Sequence, residues 1–370
     1  MELGIDISSY LEEEKLGAKF YDSKKEVNPI DEFYLNGVRY SRIRLWHNPY
    51  SLDNKPYLGG TCDLNNFLKL AKLMISKGYR IILDIHYSDF WADPHKQVPP
   101  KAFRGLPFKK LKEAVYEYTK NTLKTINDNG ITLDYIQIGN EITNGMLWPY
   151  GKLEEDEESW GRRGYDYLSD LLKEGIKATR EICPNTGIIL HLEKSYDSDI
   201  YDEFFSNMEK FGVDYDYIGM SYYPYWHHTI KDLFNNVEFC KNKFKKEIMI
   251  VELGYGFTLD DYVDSSDVQG LVVNKYNLDT FDMTLEYPIT KDGQAAFIKD
   301  FLNEARKHDI KLVIYWEPTL IPCEGSSWAS VEGQEYIKEK KAYSRNEWAN
   351  QCLFDYNGEK TPAFFEFKTK

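Results

Sequence analysis

Short runs of Ile, Val, Leu and Tyr recur along the chain, and between most of them apolar residues return every three or four positions. Eight of the runs have the length of buried strands: Leu3–Ile7, Tyr40–Leu45, Arg80–His86, Tyr135–Ile138, Gly187–His191, Tyr217–Met220, Ile248–Val251 and Lys311–Tyr315. Helical spacing covers Leu64–Ser76, with Asp63 placed to cap its start and Gly78 just beyond its end. The same spacing covers Lys109–Asn127, Tyr165–Ile182, Ile200–Met208, Thr229–Phe244 and Gly293–Lys307. Alternating strands and helices predict a parallel sheet, and eight strands is the count of a closed (β/α)8, or TIM, barrel. An open doubly wound sheet is the rival. No GxGxxG follows an early strand, and polar residues end many strands instead of gathering at one switch point.

No internal repeat or Pro/Gly/Ser-rich linker divides the chain, so residues 1–370 read as a single domain. The segments that resist assignment are Leu45–Cys62, Tyr87–Phe108, Leu147–Arg162, Leu253–Ile289 and Glu317–Trp348. Each follows a strand, which puts long loops on the C-terminal face, where a barrel keeps its chemistry.

Composition narrows the function classes. With 46 Lys and Arg against 60 Asp and Glu, the net charge of −14 repels phosphate backbones, so nucleic acid is not an expected partner. No apolar run reaches the roughly 18 to 20 residues of a membrane span. Five scattered cysteines (Cys62, Cys183, Cys240, Cys323, Cys352) lack CxxC or Cys/His metal spacing. The start, Met1-Glu2-Leu3-Gly4, lacks a basic segment followed by an apolar one, so a cytoplasmic location is expected, or a secreted one if a signal was trimmed. Aromatic residues reach 15%, with 29 Tyr and 8 Trp, which suits sugar stacking as well as core packing.

Two glutamates stand at strand ends: Glu141 in Gln137-Ile138-Gly139-Asn140-Glu141, and Glu252 in Ile248-Met249-Ile250-Val251-Glu252. On a barrel such residues converge on one pocket, and a converging carboxyl pair is the equipment of glycoside hydrolysis. Asn140 beside Glu141 can hydrogen-bond a sugar hydroxyl or simply cap the next turn.

The segment Tyr135-Ile136-Gln137-Ile138-Gly139-Asn140-Glu141-Ile142-Thr143-Asn144-Gly145-Met146-Leu147-Trp148-Pro149 closely resembles the acid/base segment of glycoside hydrolase family 53, the endo-β-1,4-galactanases. Leu83-Asp84-Ile85-His86-Tyr87-Ser88-Asp89-Phe90-Trp91-Ala92-Asp93-Pro94 and Ile218-Gly219-Met220-Ser221-Tyr222-Tyr223-Pro224 resemble its third-strand and sixth-strand signatures. Ser41-Arg42-Ile43-Arg44-Leu45-Trp46 with Asn48-Pro49, and Tyr315-Trp316-Glu317-Pro318 with Ile321-Pro322, extend the likeness in family order from about Gly4 to Phe354. It implies a retaining glycosidase of type I arabinogalactan or pectic galactan, with Glu141 as proton donor and Glu252 as nucleophile. Glu252-Leu253-Gly254-Tyr255 departs from the family's more usual Glu-Thr-Ala-Tyr, which leaves the geometry of that loop open. A related barrel cutting mannan, xylan or glucan, and a noncatalytic carbohydrate-binding barrel, are the alternatives. The co-occurring motifs argue against the first and the presence of both glutamates against the second.

Around the pair, Arg44 is expected to hold Glu252 ionised, with Arg42 on the same strand face able to do so instead. Tyr222 or Tyr223 can donate to Glu252, and parity lets only one point inward. His86 and His191 end runs three and five, placed to orient substrate or Glu141, or to make structural hydrogen bonds. Asp84 can contact sugar or pair with Arg44. Trp316 is, by the resemblance, an aromatic floor at the cleavage point, and Trp91, Trp148 and Trp226 are candidate platforms or core residues. Asp260, Asp261, Asp264 and Asp267 read first as a solvated acidic loop and second as a structural calcium site, since some bacterial family members hold calcium in this region. No cofactor is expected in catalysis, and the protein is expected to act as a monomer on β-1,4-galactan or galacto-oligosaccharides.

Overall fold

A computed structural model describes residues 1–156, 161–263, 270–281, 285–338 and 345–369. Eight parallel strands close into a barrel: β1 (Glu2–Asp6), β2 (Tyr40–Leu45), β3 (Arg80–Ile85), β4 (Leu133–Ile138), β5 (Gly187–Leu192), β6 (Tyr217–Tyr222), β7 (Glu247–Leu253) and β8 (Leu312–Trp316), with β8 paired to β1. The eight expected runs are these strands, with ends moved by one or two residues at most positions. Around them lie α1 (Pro29–Leu35), α2 (Leu64–Ser76), α3 (Phe108–Asp128), α4 (Tyr165–Ile182), α5 (Ser198–Lys210), α6 (Ile230–Phe244), α7 (Lys291–Lys307) and α8 (Pro362–Glu366). The helical reading missed α1 and α8, and also the short helices Tyr10–Lys15, Pro224–His227 and Val331–Ile337, all of seven residues or fewer, too few for a periodic pattern to emerge. A local signal for α1 exists: Asn28 caps the amides of Ile30 and Asp31, and Pro29 opens the first turn.

Helix α2 shows how the outer layer forms. The Asp63 carboxylate accepts from the Asn66 amide, and Phe67, Leu70, Ala71 and Met74 turn inward at helical spacing. Ile75 is 40% exposed because it falls about 100° from Met74 around the helix. Burying each large side chain of that stripe contributes roughly 1.5 to 3 kcal/mol.

Strand parity divides the barrel interior into two levels. The lower level is an apolar plug of Tyr40, Ile82, Tyr135, Ile189, Met249, Val251, Leu312 and Ile314. Gly219 leaves room for it, since a β-carbon there would come within 2.8 Å of Ile189 and 3.2 Å of Val251. Two residues further along the same strands, the inward positions become Arg42, Asp84, Gln137, His191 and Ser221, all essentially without solvent contact. That polar level is the floor of the site.

Candidate active site

Two local distortions deliver the glutamates. On β7, Met249 and Val251 belong to the interior plug, so simple alternation turns Glu252 outward. A register shift intervenes: Met220 pairs with Ile250 but Ser221 pairs with Glu252, and the bulge swings the carboxyl back toward the barrel axis. After β4 the chain turns through Gly139 at φ 84°, and Glu141 itself takes a left-handed conformation at φ 46°. Such backbone is strained for a residue with a β-carbon and tends to mark functional positions. Both glutamates line one cleft of about 560 Å³.

Their surroundings differ. One Glu252 oxygen lies 3.0 Å from Nη1 of Arg42, and the other accepts from the Tyr223 hydroxyl at 2.8 Å. Arg42 also pairs with Asp6 at 2.8 Å and Asp84 at 2.9 Å, and donates to the Asn140 side-chain oxygen at 2.9 Å. Gln137 donates to Asp84 at 2.8 Å, tying β4 to β3. Glu141 receives a hydrogen bond from Ser221 at 2.6 Å, and among the described residues no cation lies within ion-pair distance of it. The Ser221 hydroxyl meets His191 Nε2 at 2.8 Å, while His191 Nδ1 lies 2.9 Å from the Gln137 amide nitrogen and accepts from the Glu141 amide at 3.4 Å. His191 Nδ1 also lies 3.1 Å from the Asn140 side-chain oxygen. Burial, then the Arg42 charge, holds His191 neutral, well below the usual imidazole range.

Burial pushes Glu252 up to about 7 even though Arg42 and Tyr223 pull it down. Glu141 is driven well above the usual carboxylate range, first by burial and then by the charge of Glu252, with Ser221 opposing. Both causes acting on Glu141 favour its protonated form, whereas Arg42 and Tyr223 favour the ionised form of Glu252.

Several expectations are revised. Arg42, not Arg44, holds Glu252. Arg44 pairs with Glu317 at 2.6 Å and Asp6 at 3.4 Å, and its guanidinium carbon lies 4.3 Å from the centre of the Trp91 ring. Asp84 accordingly pairs with Arg42 and with His86 Nε2, the latter at 3.0 Å. Tyr223 reaches Glu252, whereas Tyr222 turns to the helix layer, stacks on Phe297 and Phe301, and donates to the His228 carbonyl at 3.0 Å. Trp148 does not line the cleft. Its indole donates to the Asn144 carbonyl at 3.0 Å, and its ring lines a separate groove with Phe103, Pro149 and Tyr150. Trp91, Trp226 and Trp316 do line the cleft, together with Asn140 and His86.

Sequence reading passed over Asp6, Gln137, Ser221, Glu193, Trp328 and Trp348 as site residues. The first three carry a usable signal, a polar side chain at an inward position of an otherwise apolar strand. Trp328 and Trp348 come from the long loop after β8, where no periodicity says which residues fold back over the cleft. In the acidic loop, Asp261 is engaged by Arg345 and accepts from the Gly270 amide at 3.2 Å, so one expected oxygen ligand already has a cationic partner. Asp264 and Asp267 lie outside the described residues.

A parallel barrel that carries a half-buried and a buried carboxyl at the ends of its fourth and seventh strands, in a tryptophan-lined cleft, defines a glycoside hydrolase. The family model for glycosyl hydrolase family 53 matches residues 2–367, and the chain belongs to that family. It is 33% identical to the endo-β-1,4-galactanase of Bacillus subtilis (strain 168), over 99% of this chain and 85% of the relative. It is 29% identical to the arabinogalactan endo-β-1,4-galactanase of Cellvibrio japonicus (strain Ueda107), over 99% of this chain and 90% of the relative. A solved family 53 catalytic domain of Ignisphaera aggregans superimposes with a TM-score of 0.85 at 36% identity, covering 98% of this chain and 94% of that one.

Proposed function

We propose that the protein is a retaining endo-β-1,4-galactanase that cleaves β-1,4-galactosidic bonds in pectic galactan and type I arabinogalactan. The observation that carries this reading is the asymmetry of the carboxyl pair: Glu252 is gripped by Arg42 and Tyr223, while the Glu141 carboxyl is met by the neutral Ser221. Glu252 attacks the anomeric carbon as Glu141 delivers its proton to the departing glycosidic oxygen, leaving a covalent galactosyl ester. Once esterification removes the charge on Glu252, the largest electrostatic cause of the raised Glu141 pKa disappears. Glu141, left ionised by the proton it gave up, then stays a carboxylate and takes a proton from water as the water oxygen attacks the anomeric carbon, breaking the ester to Glu252 and releasing the sugar with its β configuration restored.

The substrate is tested by measuring reducing ends released from galactan, mannan, xylan and cellulose. Galactan should be cut to a ladder of oligosaccharides, and preferential cutting of another polymer would sink the substrate assignment. For the mechanism, Glu141→Ala supplied with azide and an aryl β-galactobioside should accumulate the β-galactobiosyl azide. An α-configured first product from the parent enzyme would establish inversion instead.

A further inference from the structure

The two glutamates divide the ring of strands into unequal arcs. In the closed barrel order, β5 and β6 lie on one side between β4 and β7, while β8, β1, β2 and β3 lie on the other. Cleft residues sort with these arcs. The larger arc supplies Trp91 after β3, Trp316 at the end of β8, and Trp328 and Trp348 from the loop beyond it. Trp316 packs edge-on against Trp348 with ring centres 4.6 Å apart, and its ring centre lies 5.9 Å from that of Trp91. The smaller arc supplies Glu193, Lys194 and Tyr196 after β5 and Trp226 and His227 after β6. Of the tryptophans that line the cleft, four stand on the larger arc and one on the smaller.

The electrostatics of the two arcs differ as well. Below the larger arc, Asp6, Asp84 and Glu317 face the two guanidiniums of Arg42 and Arg44, an excess of carboxylate even without Glu252. Lys96, a cation lining that arc, is paired with Asp93 at 3.0 Å. On the opposite arc Lys194 is half-buried, and among the described residues no carboxylate lies within ion-pair distance of it. Lys194 also adopts left-handed backbone at φ 50°, a strained conformation held at the end of β5. Beside it the Glu193 carboxylate is buried and accepts from the Thr143 hydroxyl at 3.2 Å, two residues beyond Glu141. Tyr196 stacks face to face on His228 at 3.8 Å, and Trp226 stands 39% exposed.

In the transition state positive charge spreads over the sugar under attack. Aromatic faces and surplus carboxylate stabilise that charge, whereas an unneutralised ammonium opposes it. The attacked sugar therefore belongs on the larger arc, and the departing chain on the arc that carries Lys194. We propose that the β5–β6 arc is the leaving-group side of the cleft and that Glu193 and Lys194 are its specificity-determining residues, hydrogen-bonding the hydroxyls of the first galactose beyond the cut. A carboxylate acceptor next to an ammonium donor suits a polar sugar edge, while Trp226 offers an apolar face to the following unit.

This inference rests on the galactanase reading, and its test separates the two. kcat/KM is measured on linear β-1,4-galactan and on 4-nitrophenyl β-1,4-galactobioside, whose leaving group is an aryl ring in place of a sugar. In Lys194→Met and in Glu193→Gln the ratio of galactan to aryl kcat/KM should fall at least five-fold. Trp316→Leu should lower both values and move the ratio by less than that. A smaller fall in both arc variants overturns the proposal, as does a five-fold fall confined to Trp316→Leu, which would reverse the arcs. If the parent cleaves neither substrate, the galactanase reading itself fails. A parent active on both with an unmoved ratio refutes only the assignment of the arc.

Discussion

The lower and upper levels of the barrel interior are built on the same strands with the same inward parity, yet they have opposite characters. Below, Tyr40, Ile82, Tyr135, Ile189, Met249, Val251, Leu312 and Ile314 fill the barrel without a charged group. Above, Arg42 sits among Asp6, Asp84 and Glu252 with about 1% of its surface exposed. Apolar burial stabilises a fold roughly in proportion to area, but burying ions costs several kcal/mol each and is recovered only through close pairing. A chain selected for stability alone would continue the plug upward. The upper level is better understood as a site whose desolvation lifts both glutamates and lets them differ.

The comparison breaks most sharply at Glu252. Glu252→Gln should lower galactan turnover by roughly 10⁴-fold or more, because the amide cannot attack the anomeric carbon. At pH 5 its melting temperature should stay close to that of the parent, since Arg42 retains Asp6 and Asp84. Wild-type turnover in this variant would remove Glu252 from the mechanism. Arg42→Met ranks next and should damage both properties. Three buried carboxylates lose their shared cation, which costs about 3 to 5 kcal/mol of stability in a denaturant titration. Turnover in the folded fraction should fall at least about 100-fold as Glu252 loses its anchor. A stable Arg42→Met protein would mean that the upper level is less tightly coupled than its distances imply.

The plug was more legible in sequence than the site above it, for a physical reason. Strands announce themselves by composition over four to eight residues, so all eight runs, and the places of Glu141 and Glu252 at the fourth and seventh, follow from apolar patterning. Side-chain direction at a strand end depends on one residue of register. The bulge before Glu252 and the left-handed turn at Glu141 leave no periodic trace. The same limit explains one pair that was misread and one that was left open. Arg42 and Arg44 share a face, and only their different heights in the barrel send one to Glu252 and the other to Glu317. Tyr222 and Tyr223 are adjacent, and only register decides which turns inward. Trp148 sits in a family-like motif and yet faces another groove, because its backbone amide is held by the Gln97 carbonyl at 3.0 Å.

Below the site, Ile189→Ala should do the reverse of Glu252→Gln. Truncating a fully buried plug residue costs about 2 to 5 kcal/mol, read as a lower denaturation midpoint. kcat/KM of the folded enzyme should stay within about three-fold of the parent, since His191, two residues on, keeps its contacts with Ser221 and Gln137. A large loss of activity without loss of stability would show that the two levels are not separable.

The smallest expected effect is a pH dependence that belongs to the upper level alone. The Glu252 carboxyl binds its proton more tightly in the folded protein, near 7, than at the ordinary carboxylate value of 4.5. Its contribution to stability is therefore complete below about 4.5 and is lost as the pH rises through 7, since ionisation then favours the unfolded chain. Glu252→Gln has no such proton to lose. Relative to the parent, its melting temperature should rise by roughly 2 to 5 °C between pH 5 and pH 8. Ile189→Ala, which leaves the carboxyl in place, should hold a constant offset over the same range. A Glu252→Gln offset that stays flat with pH would mean that Arg42 and Tyr223 fully offset the burial of Glu252. The raised carboxyl would then have to be assigned to Glu141 alone.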